Sequence, residues 1–198
     1  DLRPWLVGRQ APSSAVTPQM PLMFHYWDQL VRMAIAADPS FDTLSLDPRY
    51  PDELSERLHS VARIIEARET DLSEFANSGG KLIIYHGLAD AVLSPGTTAL
   101  FWERMTKTMG EDEVSQFAQY YEVPGLGHGL GAFIPVWDEL SFLERWVEEG
   151  IRPTDVVVLD LHPEGNGRQR PLCEYPSWPR YEGAGNPNLA SSFRCTSK

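Results

Sequence analysis

Two short apolar runs, each cut off by a glycine-bearing turn, set the pattern of the chain. Leu82-Ile83-Ile84-Tyr85 follows Gly79-Gly80-Lys81 and stops at His86-Gly87. A run so short and so rich in β-formers predicts a buried strand of a parallel sheet. A second strand is expected over Phe117–Val123, broken by Pro124-Gly125-Leu126-Gly127-His128. Between them, Ser94 as N-cap and Pro95 at the first helical position open a helix that carries Leu100, Phe101, Trp102 and Met105 and ends at Gly110. Strand, helix, strand implies a right-handed crossover that lays the two strand ends side by side.

The flanking pattern is coarser. Residues 1–20, with three prolines, read as a loop. Met20–Ala37 is apolar and aromatic: a buried helix or helix face, or alternatively an aromatic wall of a pocket. Asp38-Pro39 closes it, and 41–51 is a turn-rich link. A helix is expected over 52–70, with Leu54, Leu58, Val61, Ala62 and Ile65 on one face and His59 at or near its surface. Asp71–Phe75 leads into Gly79-Gly80. A last long helix is expected over 136–149 with Gly150 as its C-cap, then an edge strand over 156–161. From Pro171 the chain reads as an irregular, surface-wrapping tail. The fold class is α/β.

Candidate chemistry sits at the two strand ends. Asp90 lies just past the first strand and His128 just past the second, where ligands gather in α/β sheets. An acid that orients an imidazole makes two thirds of a hydrolytic triad. In α/β-hydrolases the serine precedes both, on a Gly-x-Ser-x-Gly elbow. No serine before Asp90 fits that setting; Ser13, Ser14, Ser40, Ser45, Ser55 and Ser60 fall in loops, turns or a polar helix. The chain therefore reads as the C-terminal part of a larger hydrolase. His86, four residues before Asp90, either caps its strand or stands at the rim of the site against substrate. Gly129-Leu130-Gly131 lets the histidine loop approach closely.

Net charge of −11 with unclustered Lys and Arg argues against nucleic acid and anionic membranes as partners. No apolar run reaches membrane-spanning length, and the first residues do not read as a signal peptide. Asp38, Asp42, Asp47 and Asp52 are not spaced as a calcium loop, and no metal or phosphate site is expected. Cys173 and Cys195, 22 residues apart in a Pro/Gly-rich stretch, are expected to form a disulfide, which points to a secreted or periplasmic protein.

Several blocks in order resemble the tannase/feruloyl esterase family: Gly79–Asp90, Val123–His128, Leu143–Pro153, Arg170–Pro176, and Arg180-Tyr181 through Gly185-Asn186-Pro187 to Phe193-Arg194-Cys195. The resemblance implies the C-terminal part of an α/β-hydrolase sheet with flanking helices, preceded by the end of a lid segment: residues 1–70 as the end of the lid and return into the core, 71–198 as hydrolase domain with its tail. It implies Asp90 and His128 as triad acid and base, and Leu93 facing the acyl pocket with His86 at the rim. It further implies a small aromatic ester (feruloyl, galloyl or similar) as substrate. No cofactor is expected; the family's calcium loop would lie upstream. The expected partner is an upstream segment or second chain carrying the serine. Where the family has a Cys after the histidine, bridged to a Cys before the nucleophile, this chain has Gly129. That departure, with the missing serine motif, leaves as the alternative a non-catalytic fragment or subunit with a binding or structural role.

Overall fold

A computed structural model describes residues 3–197; residues 1, 2 and 198, and with them the first two positions of the loop expected over 1–20, lie outside the described residues. The chain divides into two compact units, residues 1–68 and 69–198.

In the first unit, part of the expected loop is helical. α1, Arg3–Leu6, forms where Pro4 pre-sets the first turn and Val7 and Gly8 donate their N–H groups to the Arg3 carbonyl. The apolar stretch is a core helix. α2, Leu22–Gln29, runs on into a π-helical segment, Leu30–Ile35, and ends where Ala37 takes a positive φ of 53°. Val31 and Ile35 pack with Val61, flanked by Trp27, Leu30, Leu54 and Leu58. Asp28 is buried in this helix because Arg32 (2.9 Å) and the Thr43 hydroxyl (2.8 Å) satisfy its carboxylate. The second helix opens with a 3₁₀ turn, Asp52–Leu54, continues as α3, Ser55–Ile65, and stops short of residue 70, since Glu66 is already extended. Ile65 lies outside the buried cluster and is exposed, as is His59. The acidic loop residues spend their oxygens locally: Asp38 accepts from Ser40, Asp42 from the Leu44 N–H, and Asp47 pairs with Arg49. Among the described residues no group of three or more His, Cys, Asp or Glu could hold a metal ion, and no helix is long and apolar enough to cross a membrane.

The second unit is built on two parallel strands. After a short helix α4, Ser73–Asn77, comes β1, Leu82–Gly87, paired in register with β2, Ala118–Val123, so that Leu82 faces Ala118 and Gly87 faces Val123. They are joined by α5, Pro95–Met109, and by a helix the periodicity does not announce, α6, Glu111–Phe117. α6 forms because Glu111, Asp112 and Glu113 sit at the positive end of its dipole while Val114 and Phe117 bury against Met105. β2 is buried on both faces: Tyr120 packs against Trp102 of α5, and Tyr121 meets Trp137 edge-on.

Beyond β2 the expectations need correction. Pro135–Val136 is a short strand, β3, and the last long helix, α7, spans Glu139–Glu149. It starts later than residue 136 because Asp138 caps it, accepting from the Ser141 N–H at 3.2 Å. β4, Val157–Asp160, is not an edge strand: β3 pairs one side and β5, Gln169–Pro171, the other, both antiparallel. The tail is ordered rather than irregular. β6, Trp178–Tyr181, and β7, Phe193–Thr196, form an antiparallel hairpin, and Cys173 is bridged to Cys195 with Cα atoms 5.5 Å apart. The segment just after Cys173 straps the outer edge of β2, where the Tyr175 N–H donates to the Tyr120 carbonyl at 2.7 Å.

Candidate active site

The two loops that leave β1 and β2 are stitched to one another by backbone. The Leu88 N–H donates to the Val123 carbonyl at 3.0 Å and the Ala89 N–H to the Leu126 carbonyl at 2.9 Å. This approach requires glycine: a Cβ on Gly87 would stand 2.2 Å from the Leu126 carbonyl oxygen. The loop then turns back on itself, with the Gly127 N–H on the Leu130 carbonyl at 2.7 Å and the Phe133 N–H on Gly125 at 3.2 Å. Tyr121, Val123, Leu126, Phe133, Val156, Val158 and Leu172 form the core beneath it.

This stitching brings Asp90 and His128 together. His128 turns Nδ1 to Asp90 Oδ2 at 3.0 Å, and the carboxylate is nearly buried while the imidazole is half-exposed. The other carboxylate oxygen, Oδ1, accepts from the backbone N–H groups of Val92 (2.7 Å) and Leu93 (3.0 Å). Burial works to raise the Asp90 pKa, but the Leu93 N–H, the His128 contact and the Val92 N–H together outweigh it and hold the carboxyl at about 2. An ionised carboxylate at Nδ1 makes that nitrogen the donor and leaves Nε2 as the basic one.

His86 belongs to the same cluster. Its Nδ1 lies 2.7 Å from the Thr98 hydroxyl, and its Nε2 is 3.2 Å from the Leu93 carbonyl and 3.5 Å from Asp90 Oδ2. Leu93 enters through its backbone. Its side chain is exposed and does not line the cavity of about 380 Å³ that opens over the pair. Tyr85, His86, Asp90, His128, Ile134 and Pro135 are among the residues that do, and among the described residues no serine is. Tyr85, Ile134, Pro135 and Thr98 are additions to the sequence reading. Val92 alone had a local signal, the turn an aspartate makes with the N–H two residues on.

Gly129 has a positive φ of 75°, and a Cβ there would meet nothing within 4 Å. Space would admit a side chain, but the backbone conformation suits glycine, and the loop is held by its own hydrogen bonds in place of a bridge.

Comparison with known proteins gives consistent relatives. The chain is 43% identical over 162 residues to an uncharacterized esterase of Agrobacterium fabrum, covering 81% of this chain and 29% of that protein. It is 38% identical over 133 residues to the mono(2-hydroxyethyl) terephthalate hydrolase of Piscinibacter sakaiensis, covering 65% of this chain and 22% of that one. Its fold matches the crystal structure of feruloyl esterase B from Aspergillus oryzae with a TM-score of 0.73 at 22% identity, over 85% of this chain and 36% of that chain. The chain thus spans well under half the length of these relatives, and its fold matches part of an α/β-hydrolase-type structure. The family model for tannase and feruloyl esterase matches residues 2–196, and the chain belongs to that family.

Proposed function

We propose that this chain supplies the acid and the base of a serine carboxylic-ester hydrolase that cleaves esters of aromatic acids. The observation that carries the reading is the Asp90–His128 contact, a carboxylate held ionised by two backbone N–H groups and turned to Nδ1 of an imidazole at a cavity that holds no serine among the described residues. In the proposed reaction a serine hydroxyl attacks the ester carbonyl and His128 Nε2 takes its proton. Collapse of the tetrahedral intermediate releases the alcohol, which receives that proton from His128. Water, deprotonated the same way, then frees the acid. Asp90 holds the tautomer and offsets the imidazolium charge.

The serine and the oxyanion donors are proposed to come from an upstream segment or a second chain. Two things support this: the relatives are much longer, and β1 is paired on one side alone among the described residues, so its outer edge is open to another strand. The aromatic acyl preference is supported by what the relatives are named for, feruloyl and terephthalate esters. The disulfide supports a secreted or periplasmic setting.

The test is fluorophosphonate labelling of the complete protein that carries this chain, with the modified peptide located by mass spectrometry. The reading predicts one labelled serine outside residues 1–198 and no serine-dependent turnover of an aromatic ester by the 198-residue chain alone. A label on a serine within the chain, or full turnover without any partner segment, contradicts it.

A further inference from the structure

We propose that His86, which forms part of the cavity wall, is a positioning residue for Asp90 that holds the acid-bearing turn closed, and that this, rather than binding substrate, is its role. The proposal rests on the serine-esterase reading above and adds a residue to its machinery. The His86 side chain is 13% exposed, against 48% for His128, so most of its ring is covered by its hydrogen-bonding partners although it lines the cavity. Both of its nitrogens are engaged, and they tie together three pieces of chain: the end of β1 through His86 itself, the turn after Asp90 through the Leu93 carbonyl, and the first turns of α5 through Thr98.

The partners fix the tautomer. A carbonyl oxygen only accepts, so the nitrogen facing Leu93, Nε2, carries the hydrogen. In the neutral ring Nδ1 is then the acceptor, and the Thr98 hydroxyl, 2.7 Å away, donates to it. The same Nε2–H stands 3.5 Å from Asp90 Oδ2, too far for a good hydrogen bond but near enough to put partial positive charge beside the oxygen that meets His128. Leu93 is the hinge of the arrangement. Its N–H donates to Asp90 Oδ1 while its carbonyl accepts from His86, so fixing the carbonyl fixes the peptide that aims the carboxylate. Two turns of the chain are thereby coupled to the orientation of one side chain.

The experiment uses the complete protein and three variants: His86→Phe, which keeps a ring without a donor; His86→Gln, whose amide nitrogen reaches the place of Nε2; and Thr98→Val. A positioning role predicts that His86→Phe lowers kcat by roughly ten- to a hundred-fold with KM within about twofold, that His86→Gln restores most of the loss, and that Thr98→Val falls between. A rise in KM at unchanged kcat shows a substrate contact and overturns the proposal; so does a Gln variant no better than Phe. A readout independent of turnover is the ¹⁵N spectrum of histidine-labelled protein, with His86 assigned by the Phe variant. Hydrogen on Nε2 supports the proposal and hydrogen on Nδ1 overturns it. If the parent protein neither turns over esters nor labels with fluorophosphonate, the esterase reading fails, and the tautomer still decides the place of His86.

Discussion

Asp90 is a carboxylate whose two oxygens have different duties. Oδ1 is held by the N–H groups of Val92 and Leu93, and Oδ2 faces the imidazoles of His128 and His86. With its pKa held at about 2, the group remains ionised wherever the protein is folded and working, so an acid limb in the activity profile above about pH 3 does not arise from it. The depressed value also sets a stability window. A carboxyl whose folded pKa lies below its unfolded value stabilises the fold above the unfolded value, and that stabilisation is lost as pH falls through the folded one. Here the window runs from about pH 4 down to about 2. Denaturant unfolding of the complete protein across that range should show this loss, and Asp90→Asn should remove that share of the pH dependence. An unchanged slope in the variant contradicts the assignment of the shift to Asp90. Sequence order alone named Asp90 and His128, because each stands where an apolar run breaks. It did not show which way His86 faces or that Leu93 works through its backbone, since both depend on how the turn after Asp90 folds under α5, and no spacing encodes that.

At the scale of elements, the site is made by two strand-end loops pressed together at Gly87. Gly87→Ala places a methyl 2.2 Å from a backbone oxygen, which cannot swing away as a side chain would. The loops must part, with an expected cost of about 1–3 kcal/mol and a larger proportional loss of turnover, read by thermal melting and kinetics side by side. A variant with normal activity contradicts the role given to that contact. The tail is the second device. Cys173 is buried next to the strap on β2, and Cys195 lies in β7, so the bridge pins the hairpin to the sheet it follows. Replacing both cysteines by serine should cost roughly 3 kcal/mol from loop closure alone. Thiols that alkylate in native, unreduced material contradict the bridge. β1, β2 and α5 were legible because their apolar runs and caps are local. α6 and the β6–β7 hairpin were not, because neither has an apolar run of its own. α6 is set by charge at its start and two buried anchors, Val114 and Phe117, and the hairpin by a covalent link and by the Arg170 guanidinium lying 4.1 Å over Phe193. The helix over 52–70 was drawn too long: its apolar positions end at Ile65, where the helix stops, and the mostly polar residues 66–70 that follow have no core face to hold them helical.

At the scale of the whole molecule, the chain brings a carboxylate and an imidazole into contact at the ends of two parallel strands, and among the described residues β1 is paired on one side alone. Family membership was legible from several short blocks in the right order, and the fold followed from it. The central claim is that His128 is the proton-transferring base of an ester hydrolase, oriented by Asp90. The direct measurement is kcat of the complete protein on a simple aromatic ester with His128→Ala, the fold verified by an unchanged melting temperature. Loss of the base should lower kcat by roughly three or more powers of ten while fluorophosphonate reactivity of the serine falls with it. A variant that keeps turnover within about tenfold of the parent would show that the Asp90–His128 pair is not the catalytic acid and base.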